Sequence, residues 1–147
     1  MARRPRDIGT SAETAVKRWL QDDGWPDCER RPLAGNRDEG DLTVCRSPLI
    51  IAEVKAGATA DKASDNLIRE WLEQTETERA NAGAELAVLV VRRFRRPVGA
   101  WDAWMPMASW VYMCVGYSLP WVTQEAPWPL RASLADWSTI AKEWEAS

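Results

Sequence analysis

The chain has 147 residues, 46% hydrophobic and 28% charged, a globular balance long enough for one compact domain with a sizeable core. It contains no histidine, which excludes Ser–His triads, histidine general bases and His-ligated zinc and leaves carboxylates, lysine or metal to carry any chemistry. No apolar run approaches a membrane span, the basic residues 1–6 lack the apolar stretch of a secretory signal, and Cys28, Cys45 and Cys114 lack metal-site spacing, so reduced thiols in a cytoplasmic protein are expected.

Residues 10–22 predict an amphipathic helix with Ala12, Ala15, Val16, Trp19 and Leu20 on its buried stripe and Gly24 beyond its end. Thr10 and Glu13 have the spacing of a capping box, which gives Glu13 a structural role; its alternative role is a third carboxylate near a metal. Residues 27–33 read as a short edge strand, with Pro32 suited to an edge, and residues 34–40 as a polar loop turning at Gly35 and Asn36. Within that loop Asp38 and Glu39 rank below Asp41 as ligands.

Residues 40–45 predict a strand, and residues 49–55 a second one bounded by Pro48 and Ala56–Gly57. Alternation puts Ile50, Ala52 and Val54 on one face of the second strand and Glu53 and Lys55 on the other. Charges inside an apolar strand need a partner, a metal or a cleft. If the two strands form a hairpin, Asp41, Glu53 and Lys55 converge. Two carboxylates and a lysine suit a hard cation such as Mg²⁺, and that set serves phosphodiester hydrolysis. An ordinary cross-strand ion pair is the other reading of Glu53 and Lys55.

A loop over residues 57–61 leads to a helix over about residues 61–82, with Leu67, Ile68, Trp71 and Leu72 as its apolar stripe and Gly83 as its C-terminal stop. Gln74 lies on this helix, either at the surface or beside a site. The apolar run 85–93 predicts a strand buried on both faces, so residues 49–93 form a βαβ unit with parallel strands. Residues 100–106 predict a further edge strand. Periodicity leaves residues 108–115 open between helix and strand. Pro120, Pro127 and Pro129 break the next stretch into loops, and residues 134–145 predict a short helix capped by Ser133.

The net charge of −3 gives no global pull towards nucleic acid, but the charges are segregated. Arginines group at Arg3, Arg4 and Arg6, at Arg30, Arg31 and Arg37, and at Arg92, Arg93, Arg95 and Arg96. Acids concentrate between Asp61 and Glu78 and near the C-terminus. Such a pattern either sets a basic face against phosphates or is solvated surface. The ten tryptophans, most of them after residue 100, are core anchors, interface residues or platforms for unpaired bases.

Gly40–Asp41 followed by Ile51-Ala52-Glu53-Val54-Lys55 resembles the PD-(D/E)xK nuclease motif, with Gly40 in place of its proline. The element order resembles the archaeal-type and phage-type Holliday junction resolvases of the restriction-endonuclease-like superfamily. The likeness covers about residues 8–106. Phage-encoded members are similar around Cys28-Glu29-Arg30-Arg31, residues 35–41 and the helix end through Ala80-Asn81-Ala82-Gly83.

The resemblance implies an α/β restriction-endonuclease-like mixed sheet flanked by helices, with a Trp-rich C-terminal extension over about residues 107–147. It implies Asp41 and Glu53 as metal ligands joined by Glu13, Lys55 as the residue positioning the attacking water, and Gln74 beside the site. It implies Mg²⁺, with Mn²⁺ as a substitute, and hydrolysis leaving a 5′-phosphate and a 3′-hydroxyl. Arg30, Arg31, Arg37, Arg92 and Arg93 are then expected to grip DNA phosphates, positioning DNA without reading sequence. The expected partners are branched DNA, a four-way junction above all, and a second copy, since a C2 homodimer presents two sites to two symmetric scissile bonds. No membrane partner is expected. The expected setting is DNA recombination or repair in the cytoplasm, that of the host if the chain is phage-encoded. A nuclease of the same fold acting on other branched or linear DNA, and a catalytically idle DNA-binding or assembly protein, remain alternatives.

Overall fold

A computed structural model describes residues 4–32, 40–116 and 128–147. Its centre is a six-stranded sheet whose spatial order follows the chain: β1 (Glu29–Arg30), β2 (Leu42–Arg46), β3 (Leu49–Lys55), β4 (Leu86–Val91), β5 (Asp102–Pro106) and β6 (Pro129–Ser133). Only β3 and β4 run parallel; the other neighbours are antiparallel. The fold is therefore α/β with a mixed sheet flanked by helices, as the sequence led us to expect.

Helices cover both faces of the two central strands: β4 is aliphatic on both, and β3 on the one it shares with α1 and α5. Ile50, Ala52 and Val54 of β3 and Leu86, Val88 and Val90 of β4 pack with α1 (Pro5–Asp22) and α5 (Leu134–Ala146). On the opposite face Leu89 and Val91 pack with Ile68 and Leu72 of α3 (Asp65–Ala82). Helix α3 is the crossover between the parallel strands. Ser64 caps it by accepting from the Leu67 N–H at 3.2 Å, and Gly83 closes it at φ 68°.

Several boundaries differ from expectation. Helix α1 begins at Pro5, not near residue 10, because proline at a first helical position gives up a donor that has no partner there anyway. Thr10 is thus mid-helix, and the capping box with Glu13 does not form. β1 has two residues rather than seven. A one-turn helix, α2 (Ala58–Asp61), replaces the loop after β3, so α3 starts later than residue 61. The expected turn at Gly35 and Asn36, with Arg37, Asp38 and Glu39, lies outside the described residues.

The C-terminal third belongs to the same sheet and core. The stretch around Pro129, expected to be loop, is the edge strand β6, so β5 is internal rather than an edge. Pro129 sits at the first position of β6, where an edge strand tolerates a missing donor. The undecided stretch is helix α4 (Met107–Val115). Ser133 caps α5 as expected, accepting from the Asp136 N–H at 3.1 Å. Trp137, with no exposed surface, stacks with Trp25 at 6.3 Å between ring centroids. The Trp25 indole N–H donates to Ser138 Oγ at 2.8 Å, and Ser138 donates to Asp23 at 2.6 Å. Among the described residues no helix is long and apolar enough to cross a membrane.

Trp137→Ala should cost about 4 kcal/mol, the usual range for emptying a buried aromatic site, in a single denaturant transition for the whole chain. Urea unfolding followed by circular dichroism checks this; loss of α5 alone, with the rest unchanged, would contradict it.

Candidate active site

The β2–β3 hairpin sets the geometry. Leu42 pairs with Ala52, and the Asp41 N–H donates to the Ala52 carbonyl at 3.0 Å. Asp41 therefore lies beside Glu53 on the face opposite Ile50, Ala52 and Val54. One Asp41 oxygen, Oδ2, accepts from the Val54 N–H at 2.9 Å, which fixes the carboxylate against β3. Gly40 has φ +88°, a conformation closed to proline, whose ring holds φ near −65°. This accounts for glycine where the motif is named for proline.

Glu53 and Lys55 share that face, as strand alternation requires. Lys55 Nζ is 3.4 Å from Glu53 Oε1 and 5.7 Å from the centroid of the Trp71 ring, over its face. Glu53 is 6% exposed, whereas a quarter of the Lys55 side chain is open to solvent. The expected convergence of Asp41, Glu53 and Lys55 on one face of one hairpin is present.

Sequence reasoning missed Glu78. It sits on α3, 1% exposed, and its carboxyl meets that of Glu53 across the helix–sheet interface. The Glu53 and Glu78 carboxyls hydrogen-bond each other, which requires a proton on one of them, and Glu53 Oε2 has no other donor among the described residues. A signal existed: Ile68, Leu72, Thr75 and Glu78 follow one another at helical spacing, so the apolar stripe of α3 ends in an acid that must be buried.

Burial is the largest influence on Glu53 and raises its pKa. Repulsion from Asp41 and Glu78 and the hydrogen bond with Glu78 add to it, and Lys55 opposes it; together they bring the pKa to about 10. Glu13 approaches from α1. Partial burial, then repulsion from Asp41, raise its pKa, while Arg30, 2.5 Å away, pulls it down. Glu13 thus lies within electrostatic reach of Asp41 and is held by an arginine.

The remaining expected site residues are dispersed. Gln74 is exposed on α3, and Glu78, one turn further on, is the α3 residue that reaches Glu53. Arg30 is engaged by Glu13, and Arg31 donates to Thr43 Oγ1 at 2.8 Å, so both brace β1 and β2. Arg92 begins just beyond β4, its N–H donating to the Lys55 carbonyl at 2.9 Å. Arg93 is more exposed and lies 3.9 Å from Asp102.

The donor set suits a hard divalent cation: two adjacent carboxylates, one with a buried oxygen lacking a donor, and mutual repulsion that positive charge would relieve. Among the described residues no three acids, cysteines or histidines form a closed metal cage, so such an ion would complete its shell with water, as Mg²⁺ usually does. No family model, curated protein or solved structure matches the chain.

The raised Glu53 pKa makes the folded chain bind more protons than the unfolded chain between the ordinary value of 4.5 and about 10. Stability from this group is complete below pH 4.5 and is lost as pH rises towards 10. Glu53→Gln should therefore gain stability relative to the parent as pH rises from 5 to 9, by more than about 1 kcal/mol. Parallel thermal-melt curves for the two proteins across that range would contradict this.

Proposed function

We propose that the chain is a divalent-metal-dependent DNA endonuclease of the restriction-endonuclease-like, PD-(D/E)xK type, acting in the cytoplasm on branched DNA and four-way junctions first. The observation that carries the reading is Asp41, Glu53 and Lys55 on one face of the β2–β3 hairpin, with Glu53 buried, Asp41 half-buried and repelling it, and the lysine reaching solvent. An ion pair placed only for stability does not need a second and a third acid pressed against it.

Asp41 and Glu53 would hold Mg²⁺ or Mn²⁺, with Glu13 behind them. Such a cation supplies Lewis-acid stabilisation of phosphate charge and makes water a competent nucleophile near neutral pH. The chain's own residues do the rest. The Val54 N–H holds Asp41 in one orientation, so that part of the site is set before substrate arrives. Lys55, held between Glu53 and the Trp71 ring, presents N–H donors to a phosphate oxygen or to the incoming water. Glu78 and the Trp71 side of α3 keep bulk water from the inner side of Glu53. Arg92, one residue beyond the strand that pairs with Lys55, is placed to meet a phosphate next to the reacting one.

The test is cleavage of labelled four-way, forked and linear duplex DNA with Mg²⁺ and with EDTA. Paired, symmetric, Mg²⁺-dependent nicks in the junction are expected, and a C2 dimer carries them. Asp41→Asn and Lys55→Ala should each lower the rate a hundredfold or more while leaving junction binding in EDTA largely intact. Equal cutting of linear duplex would replace the junction reading with a general nuclease, and no cutting with any divalent metal would overturn the catalytic reading.

A further inference from the structure

The turn that follows β4 has a construction the hydrolytic site does not use. Arg96 N–H donates to the Arg93 carbonyl at 3.1 Å, and the Trp101 indole N–H donates to the Arg96 carbonyl at 3.0 Å, so the turn is pinned at its base. Arg95 at its tip has φ 59°, the left-handed region that a non-glycine residue occupies at a cost of about 1 kcal/mol. The tip presents Phe94, 59% exposed, with the Arg95 guanidinium 5.1 Å from its ring centroid. An aromatic ring held in water on a rigid, strained turn adds nothing to the core.

Beside this turn lies a groove of about 580 Å³ in which Arg92, Arg96, Arg131 and Trp104 share the wall with Asp61 and Asp65. Arg131 lies over the Trp104 ring at 5.7 Å, and Asp102 holds Arg131 at 3.4 Å. Arg92, Arg95 and Arg96 make no ion pair with a described residue, so positive charge is left over at the turn. An adjoining hollow of about 280 Å³ shares the Trp104 wall and ends at Trp128, which is 54% exposed. Phe94, Trp104 and Trp128 thus line two adjoining hollows together with arginines. The first hollow starts next to Lys55, since Val91 pairs with Lys55 and Arg92 follows it.

Arginines beside exposed aromatic rings, here Phe94 and Trp128, are what an unpaired nucleic-acid strand requires. The guanidinium groups take phosphates, and the rings take bases whatever their identity. A duplex keeps its base faces stacked inside and has no use for these rings. We propose that this groove binds an unpaired DNA strand, with Phe94 stacking on a base that the catalytic hairpin meets at the edge of a duplex. On this assignment the preferred substrate has a single-stranded segment or an openable junction centre beside the cut. The proposal rests on the nuclease reading only for its link to cutting; strand binding stands or falls on its own measurement.

The experiment is fluorescence anisotropy with the whole chain in EDTA, using a labelled dT12 oligonucleotide and a 12-base-pair duplex as probes. Wild type should bind the single strand more tightly than the duplex. Phe94→Ala and Trp128→Ala should each weaken dT12 about tenfold, the scale of one lost stacking contact, and leave duplex binding within twofold. Arg96→Ala should weaken dT12 and flatten its salt dependence. Both aromatic side chains are exposed, so their removal should leave the thermal melt unchanged, which circular dichroism checks. Unaltered dT12 affinity in Phe94→Ala and Trp128→Ala, or a duplex bound as tightly as the single strand, would overturn the groove assignment. The two readings fail separately: Mg²⁺-dependent cutting with no strand preference removes only the groove, and strand binding with no cutting removes only the catalytic reading.

Discussion

The arrangement on which the rest depends is the meeting of Glu53 with Glu78 beneath Asp41. Two carboxyls face each other in the helix–sheet interface and a third lies one strand away. Carboxyls gathered at a helix–sheet interface are costly, and apolar residues of similar volume would make a more stable interface. Lys55 relieves such a cluster in part, and a proton or a cation would relieve it further. Burial and the neighbouring acids raise the Glu53 pKa to about 10, which favours its protonated form at neutral pH. On the proposed reading, a divalent cation would enter the cluster from the solvent side, at Lys55.

The scaffold keeps this expensive cluster in place by ordinary means. β4 is aliphatic on both faces and β3 on one, so their register is fixed by packing that has nothing to do with the site. The parallel crossover returns α3 across β3, which is how Glu78 arrives opposite Glu53. Asp41 is oriented by a backbone N–H of β3 rather than by another side chain. At the far edge, β6 and α5 complete the sheet and the core, and most tryptophans of the C-terminal third serve there: Trp101 and Trp137 are buried, and Trp110 donates to the Leu130 carbonyl at 3.0 Å. Among the described tryptophans of that third, Trp128 is the exposed one, and with Phe94 and Trp104 it lines the hollows beside the turn after β4.

How much of this could be read from the chain varied with the physics of each segment. β3 was legible to the residue because an unbroken aliphatic run with two charges at period two has one reading. Helix α3 and its Gly83 stop were legible from caps and periodicity. β6 was not: Pro127 and Pro129 look like breakers, and only the sheet shows that Pro129 starts an edge strand. Glu13 looked like a cap because the sequence cannot show that the helix begins at Pro5, a turn and more before it. Asp41, Glu53 and Lys55 were recoverable because strand alternation converts spacing directly into direction. Glu78 was not recovered because its role depends on how α3 lies across the sheet, a long-range fact that local spacing does not carry; Gln74, a turn earlier, was chosen in its place and is exposed.

The central claim is that the Asp41–Glu53 cluster exchanges a proton for a divalent cation. Titration calorimetry of Mn²⁺ at pH 8, in two buffers of different ionisation enthalpy, measures both events at once. The account predicts saturable binding with release of about one proton per ion, and loss of both in Asp41→Asn and Glu53→Gln. Binding that is absent, or that is the same in the two variants as in the parent, would contradict it.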